Sequence, residues 1–273
     1  MKIFLDGKWV GKNMANTAIY EPGFLCAQGL FETMKACNNK IFFLERHLDR
    51  LLAALPAIKI NLAYSKKHLI EIVNKTTAFN NYSYGYIRLT VWQGFKEAHI
   101  SVIAREYRPY ESAKYACGFK AIISSIRQNE LSPLSSIKSS SRLHFLLAQS
   151  EAGEKGADEA ILLNSKNKIA EGACTNIFFL KGNVLFTPNK ESGCLPGITR
   201  EIVLEIAKKE NMEIREKEID AAELFSAQEA FFTNSLIGIM PLAFLDNKMI
   251  GGAGAGRFTA LFIKKYNQLL QKG

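Results

Sequence analysis

Lys138 lies in Leu134-Ser-Ser-Ile-Lys-Ser-Ser-Ser-Arg142, a lysine set among hydroxyls. A lysine amine that sheds its proton is a nucleophile toward carbonyl carbon. A carboxylate, Glu171, follows in Ile169-Ala-Glu-Gly-Ala-Cys-Thr-Asn176. A lysine that forms a Schiff base with pyridoxal phosphate (PLP) needs such a carboxylate facing the pyridine nitrogen, because that charge keeps the ring protonated and electron-accepting. A third stretch, Leu195-Pro-Gly-Ile-Thr-Arg200, opens a helix, where first-turn N–H groups without helical partners can hold a phosphate. Singly, each has an ordinary explanation: Lys138 as a solvated lysine, Glu171 as a turn carboxylate.

The elements around these residues are legible in the pattern. In Ile3-Phe-Leu-Asp-Gly-Lys-Trp-Val10, Asp6-Gly7 supplies the two left-handed positions of a type I′ turn, so a hairpin is expected. Phe24 to Ala36 reads as a loop and then a strand. Leu44, Leu48, Leu51, Leu52 and Leu55 recur at helical spacing, and Arg50 falls off that stripe. Ser65 caps a second helix reaching about Ala78. Tyr86–Trp92 and Ile100–Ala104 read as strands. Beyond a charged, proline-bearing stretch come a strand at Phe119–Ser124 and a helix from Leu143 to Lys155. Tight strand connections are expected at Ser165–Asn167, Lys181–Asn183 and Asp246–Lys248, and helices over Ile198–Glu210 and Phe258–Gln271.

Composition narrows the function classes. A chain of 273 residues exceeds the usual size of one core, so one large or two smaller domains are expected. Apolar content of 48% with 22% charged residues is globular and argues against disorder. The net charge of +9 is carried by scattered lysines rather than an aromatic-laced basic face, so a basic soluble surface is expected, without nucleic-acid binding. Cys26, Cys37, Cys117, Cys174 and Cys194 lie far apart, the pattern of a reduced, cytoplasmic protein. The four histidines show no metal-ligand spacing. The short apolar stretch before Asp6 does not read as a signal peptide, and no run is long enough to span a membrane.

The ordered matches resemble the class IV aminotransferase family, the fold-type IV PLP enzymes. They are Phe24-Leu-Cys-Ala-Gln-Gly-Leu-Phe-Glu-Thr33, His47-Leu-Asp-Arg-Leu51, Lys138, Gly156-Ala-Asp-Glu-Ala160, Glu171-Gly172, Asn176-Ile-Phe178, Leu195–Arg200 and Thr233-Asn-Ser-Leu-Ile-Gly-Ile-Met-Pro241. The resemblance implies an α+β / α/β, two-domain architecture like that of D-amino acid aminotransferase. The expected parts are a smaller N-terminal α+β domain over 1–107, a linker over 108–116, and a strand-rich C-terminal domain over 117–273 that carries the lysine. It implies PLP as cofactor, with Lys138 as the catalytic Schiff-base residue and Glu171 on the pyridine nitrogen. The phosphate then belongs to Arg50, the N–H groups of Ile198 and Thr199, and Ser235. It also implies a homodimer.

Departures bear on substrate. Family members specific for D-amino acids have an arginine where this chain has Ala98, just before His99, and a tyrosine where it has Phe31. Branched-chain members favour F-E-G and a glycine-rich stretch after the lysine, against Phe31-Glu-Thr33 and Ser139–Ser141 here. Aminodeoxychorismate lyases of the family carry F-E-T, an arginine four residues after the lysine (Arg142 here) and T-N-S-L-x-G-x-x-P. All three occur in this chain, so the resemblance points first to 4-amino-4-deoxychorismate lyase, in folate synthesis, and second to a transaminase of branched-chain L-amino acids or D-amino acids. A non-enzymatic binder is the remote alternative. Phe31, Arg142 and His99 are the candidate substrate contacts, and the basic surface with Arg142 suits a dicarboxylic substrate.

Overall fold

The computed structural model describes residues 1–252 and 254–272 and divides into two compact units. Unit 1 comprises Met1–Pro109 with Ile137–Ser141. Its six strands are β1 (Lys2–Leu5), β2 (Lys8–Gly11), β3 (Gly29–Cys37), β4 (Lys40–Ile41), β5 (Tyr84–Gln93) and β6 (Ala98–Glu106), joined in the order β2-β1-β6-β5-β3-β4. Every pairing is antiparallel. The first hairpin turns at Asp6 (φ 42°) and Gly7 (φ 85°), the two left-handed positions expected.

One face of this sheet is covered. The short α1 (Pro22–Leu25) precedes β3, while α2 (Leu44–Ala54) and α3 (Lys66–Asn80) follow it and lay their apolar residues on the sheet. Leu48 and Leu51 of α2 and Leu69 and Val73 of α3 pack with Leu30, Met34 and Ala36 of β3 and with Leu89 and Val91 of β5. Full burial of each such side chain contributes about 1.5–3 kcal/mol. The Ser65 hydroxyl caps α3 by accepting from the His68 N–H at 3.3 Å.

Unit 2 comprises Tyr110–Ser136 with Arg142–Gly273. In chain order it holds α4 (Ser112–Cys117), β7 (Phe119–Arg127), α5 (Leu143–Glu154), β8 (Glu159–Leu163), β9 (Ile169–Gly172), β10 (Asn176–Lys181) and β11 (Val184–Pro188). Then come α6 (Ile198–Lys209), β12 (Glu213–Lys217), α7 (Ala221–Phe225), β13 (Glu229–Asn234), β14 (Gly238–Leu245), β15 (Lys248–Met249) and α8 (Arg257–Lys272). The strands form one sheet in the order β12-β11-β10-β13-β14-β7-β8-β9, with β15 paired to β14. Two connections are parallel crossovers through a helix: β7 to β8 by α5, and β11 to β12 by α6. The tight connections run through Asn167, Gly182 and Asp246-Asn247, all with positive φ.

Two expectations change. The stretch expected as a linker, 108–116, is largely helical, because α4 occupies Ser112–Cys117. Lys138, expected in the C-terminal domain, falls in unit 1. Its backbone is the reason: the Phe31 N–H donates to the Lys138 carbonyl at 3.0 Å and the Ser140 N–H to the Gly29 carbonyl at 2.8 Å, so 138–140 lies along β3 as a short antiparallel bridge.

Candidate active site

In unit 1, strand alternation sends β3 residues to opposite faces. Glu32 shares the buried face with Leu30 and Met34 and meets α2 there. His47 Nδ1 lies 2.6 Å from Glu32 Oε2, while Arg50 donates from Nε to Oε1 at 2.8 Å and from Nη2 to Oε2 at 2.6 Å. Burial alone would raise the Glu32 carboxyl, but Arg50 and His47 together hold it down at about 2. Burial keeps His47 below its usual range despite the neighbouring carboxylate. An ionised Glu32 only accepts, so the neutral imidazole directs its Nδ1 hydrogen to it. Arg50 is thereby fixed at two of its nitrogens.

Phe31 takes the other face. Above its ring stand two cations: the Arg88 guanidinium of β5, 3.8 Å from the centroid, and Lys138 Nζ at 4.9 Å. Arg88 Nε also donates to the Thr90 hydroxyl at 3.2 Å. Gly29 permits the approach of the 138–140 segment, since a Cβ there would stand 2.7 Å from the Val91 carbonyl and 3.2 Å from the Ser140 hydroxyl. Arg88 and Lys138 thus both pack against the Phe31 ring, with Glu32 one strand position away and Arg50 bonded to Glu32.

In unit 2, Glu171 is buried near the end of β9, and its Oε2 accepts from the Leu195 N–H at 3.0 Å. Leu195-Pro-Gly leads into α6, whose N-cap is Gly197, a residue with no side chain to cap the first turn, where Ile198 and Thr199 begin. Thr199 is hydrogen-bonded to Tyr266, a tyrosine that burial pushes up to about 12. Ser235 sits half-buried in the β13–β14 turn, next to Asn234. Thr233, buried near the end of β13, has a hydroxyl oxygen with no hydrogen-bond partner among the described residues.

Consecutive carbonyls of the turn after β9 are tied down. Arg142 Nη2 donates to the Ala173 carbonyl at 2.8 Å, and Asn234 Nδ2 donates to the Cys174 carbonyl at 3.2 Å. The Arg142 guanidinium also lies over the Phe145 ring, 4.3 Å from its centroid. From inside, the buried Glu159 accepts from the Cys174 N–H at 3.3 Å and the Thr175 hydroxyl at 3.0 Å, and burial pushes its carboxyl up to about 7.

The candidates therefore fall into three groups. Unit 1 gathers Phe31, Arg50 and Lys138. Unit 2 gathers Glu171, the opening of α6 at Ile198 and Thr199, and Arg142 through the 173–174 turn. His99 belongs with neither: its ring nitrogens lie 2.8 Å from Asp6 Oδ2 and 3.2 Å from Glu21 Oε1, and it stacks on Trp92. Sequence reasoning passed over Glu32, Arg88 and Glu159. Glu32 carried a signal, being a charge in the apolar phase of a strand. Arg88 offered less, as a polar residue in the alternation Tyr86-Ile-Arg-Leu-Thr.

Residues 29–243 match the family model for amino-transferase class IV. The chain is 27% identical over 271 residues to the aminodeoxychorismate lyase of Bacillus subtilis, covering 95% of this chain and 92% of that one. Among solved structures, the branched-chain aminotransferase of Thermoproteus uzoniensis with norvaline superposes with a TM-score of 0.92 at 30% identity, covering 100% of this chain and 95% of that one. The branched-chain amino acid aminotransferase of Escherichia coli gives 0.93 at 25% identity, covering 98% and 94%. A further branched-chain aminotransferase structure, this one with pyridoxamine 5'-phosphate, gives 0.92 at 26% identity, covering 98% and 93%. With a full-length likeness to such proteins and the fold-type IV architecture, the chain belongs to the class IV aminotransferase family and is an enzyme of that class.

Proposed function

We propose that this enzyme is a 4-amino-4-deoxychorismate lyase, eliminating pyruvate from its substrate to leave 4-aminobenzoate. One observation carries the reading. Arg142 and Asn234 come from two of the three stretches in which the chain resembles lyases of the family, and they bind the consecutive carbonyls of Ala173 and Cys174. The lyase-like residues thus act on one turn, two positions beyond Glu171.

PLP is the cofactor of the class, and the residues present fit it. A buried carboxylate, a helix start whose N-cap is a glycine, and a buried Thr233 hydroxyl with no hydrogen-bond partner among the described residues suit a pyridine nitrogen and a phosphate. When bound, PLP withdraws electrons from the carbon that bears the substrate amine. In this reading Lys138 would hold the cofactor until the substrate amine displaces it, and its freed Nζ would then take the proton from that carbon. Glu171 keeps the pyridine nitrogen protonated. Arg50, the N–H groups of Ile198 and Thr199, and Ser235 hold the phosphate. Arg88, which like Lys138 packs against the Phe31 ring, offers a guanidinium to a substrate carboxylate, a role expected of Arg142 from the sequence.

The second reading is transamination of branched-chain L-amino acids or D-amino acids, and the 30% identity to the Thermoproteus enzyme favours the branched-chain form. The deciding experiment supplies aminodeoxychorismate without any keto acid. Release of 4-aminobenzoate and pyruvate supports the lyase. Reversible loss of the bound cofactor's near-visible band with L-leucine or D-alanine, restored by a keto acid, establishes the transaminase, and the ratio of kcat/KM values ranks the two if both occur.

The working form in this reading is a homodimer. Leu143, Leu146 and Leu147 give α5 an exposed apolar stripe that such an assembly covers, and sedimentation velocity measures it. None of the described helices is long and apolar enough to cross a membrane.

A further inference from the structure

Asn176, the first residue of β10, is buried. Its Nδ2 donates to the Leu195 carbonyl at 2.8 Å and lies 3.5 Å from Glu171 Oε2. The Leu195 N–H meets the same Oε2 at 3.0 Å. The other end of the carboxamide faces Gly197, where a Cβ would stand 2.1 Å from Asn176 Oδ1. One side chain therefore touches Glu171, the Leu195 carbonyl and the N-cap of α6.

We propose that Asn176 is a positioning residue that fixes the Glu171 carboxylate to the loop opening α6, so that the groups for the pyridine nitrogen and the phosphate are held as one rigid body. The inference rests on the reading above, in which Glu171 and the start of α6 serve the same cofactor. PLP is a rigid aromatic ring with its phosphate on a short arm, so a site set in advance to that spacing binds without an ordering cost. The backbone supplies one tie, from the Leu195 N–H to Glu171. Asn176 adds another and closes a triangle of carboxylate, loop and carboxamide. Gly197 completes the device. Its backbone, at φ −75° and ψ 140°, suits any residue, so the close approach of Asn176 is what calls for glycine there.

The test compares binding of PLP and of pyridoxal, which lacks the phosphate, by absorbance titration of the coenzyme-free protein and of Asn176→Ala. The expected result is at least a tenfold loss of PLP affinity, a smaller preference for PLP over pyridoxal, and a shifted near-visible band for bound PLP. A role in folding alone lowers the melting temperature while leaving the affinity ratio and the spectrum of bound PLP unchanged, and that outcome overturns the proposal.

Gly197→Ala supplies a second route, because its methyl displaces the Asn176 carboxamide without altering the backbone. It should reproduce the Asn176→Ala changes, and in the Asn176→Ala background it should add less than threefold. Full multiplication of the two effects overturns the proposal, since it means that the residues act independently. The underlying reading fails separately and earlier, in the unmodified protein, if that protein shows no preference for PLP over pyridoxal; the proposal then falls with it.

Discussion

Replacing Glu32 by glutamine tests whether the buried carboxylate or mere packing holds Arg50 and His47. The substitution keeps the shape and removes the charge. Glu32 is fully buried and accepts two bonds from Arg50 and one from His47. Its folded-state pKa lies at about 2 against an ordinary 4.5, with burial opposing the charge and Arg50 and His47 more than offsetting it. A depressed carboxyl pKa contributes stability that is fully present above the unfolded value, near 4.5, and is lost as pH falls through the folded value, near 2. That depression corresponds to about 3 kcal/mol at pH 7, the lower end of the range for breaking a buried ion pair. By the same linkage more than half is gone at pH 3, roughly 1.4 kcal/mol remaining.

The assay is urea unfolding of the coenzyme-free protein followed by tryptophan fluorescence. Both tryptophans, Trp9 and Trp92, lie in unit 1, so the signal reports the unit that holds Glu32. With a slope of about 2 kcal/mol per molar urea, Glu32→Gln should lower the midpoint by about 1.5 M at pH 7 and by less than half that at pH 3. Equal shifts at the two pH values would refute the electrostatic account and leave only packing.

Three further outcomes follow from the same geometry. Lys138→Ala should abolish turnover and the near-visible band of bound PLP, and a borohydride-reducible adduct at full yield in that variant would remove Lys138 from its role. Glu171→Gln should keep PLP bound but slow proton abstraction by about a thousandfold, the effect of losing about 4 kcal/mol at the transition state; exchange of the substrate's α-hydrogen into solvent measures it. Arg50→Ala should weaken PLP binding by roughly 2–3 kcal/mol, the scale of a charged hydrogen bond, and an equilibrium titration with unchanged affinity would return Arg50 to a structural partner of Glu32.

Local chemistry made much of the fold legible. The Asp6-Gly7 turn, the leucine spacing of α2 and the Ser65 cap each depend on a few neighbouring residues, and each formed where expected. The attachment of Lys138 to unit 1 was not legible, because two backbone bonds to β3 carry no side-chain pattern. Arg142 and His99 illustrate a second limit. Sequence identifies an arginine or a histidine in a family motif, but what it binds depends on chain brought in from far away. For Arg142 that is the Ala173 carbonyl, and for His99 it is Asp6 and Glu21.

Glu32 marks how further inference from a single sequence can proceed. On β3 the apolar phase runs through Leu30, Met34 and Ala36, and Glu32 stands in that phase. A carboxylate there cannot remain charged without partners, because removing an ion from water costs several kcal/mol. The partners must come from the element packed on that face, which the leucine spacing already identifies as α2. Within α2, His47 and Arg50 are three positions apart and lie on one side of the helix, flanking Leu48 and Leu51. Period-two and period-3.6 patterns, combined with the cost of an unpaired buried charge, therefore pick out this cluster from residue types alone. The same reasoning reaches Glu159, whose partners are backbone N–H groups and a hydroxyl rather than cations, and burial accordingly leaves its carboxyl near 7 where Glu32 is held near 2. A buried carboxylate paired with a guanidinium is kept ionised near neutral pH, whereas one held by neutral donors is poised to take a proton, so the difference between the two sites lies in what the chain places around them.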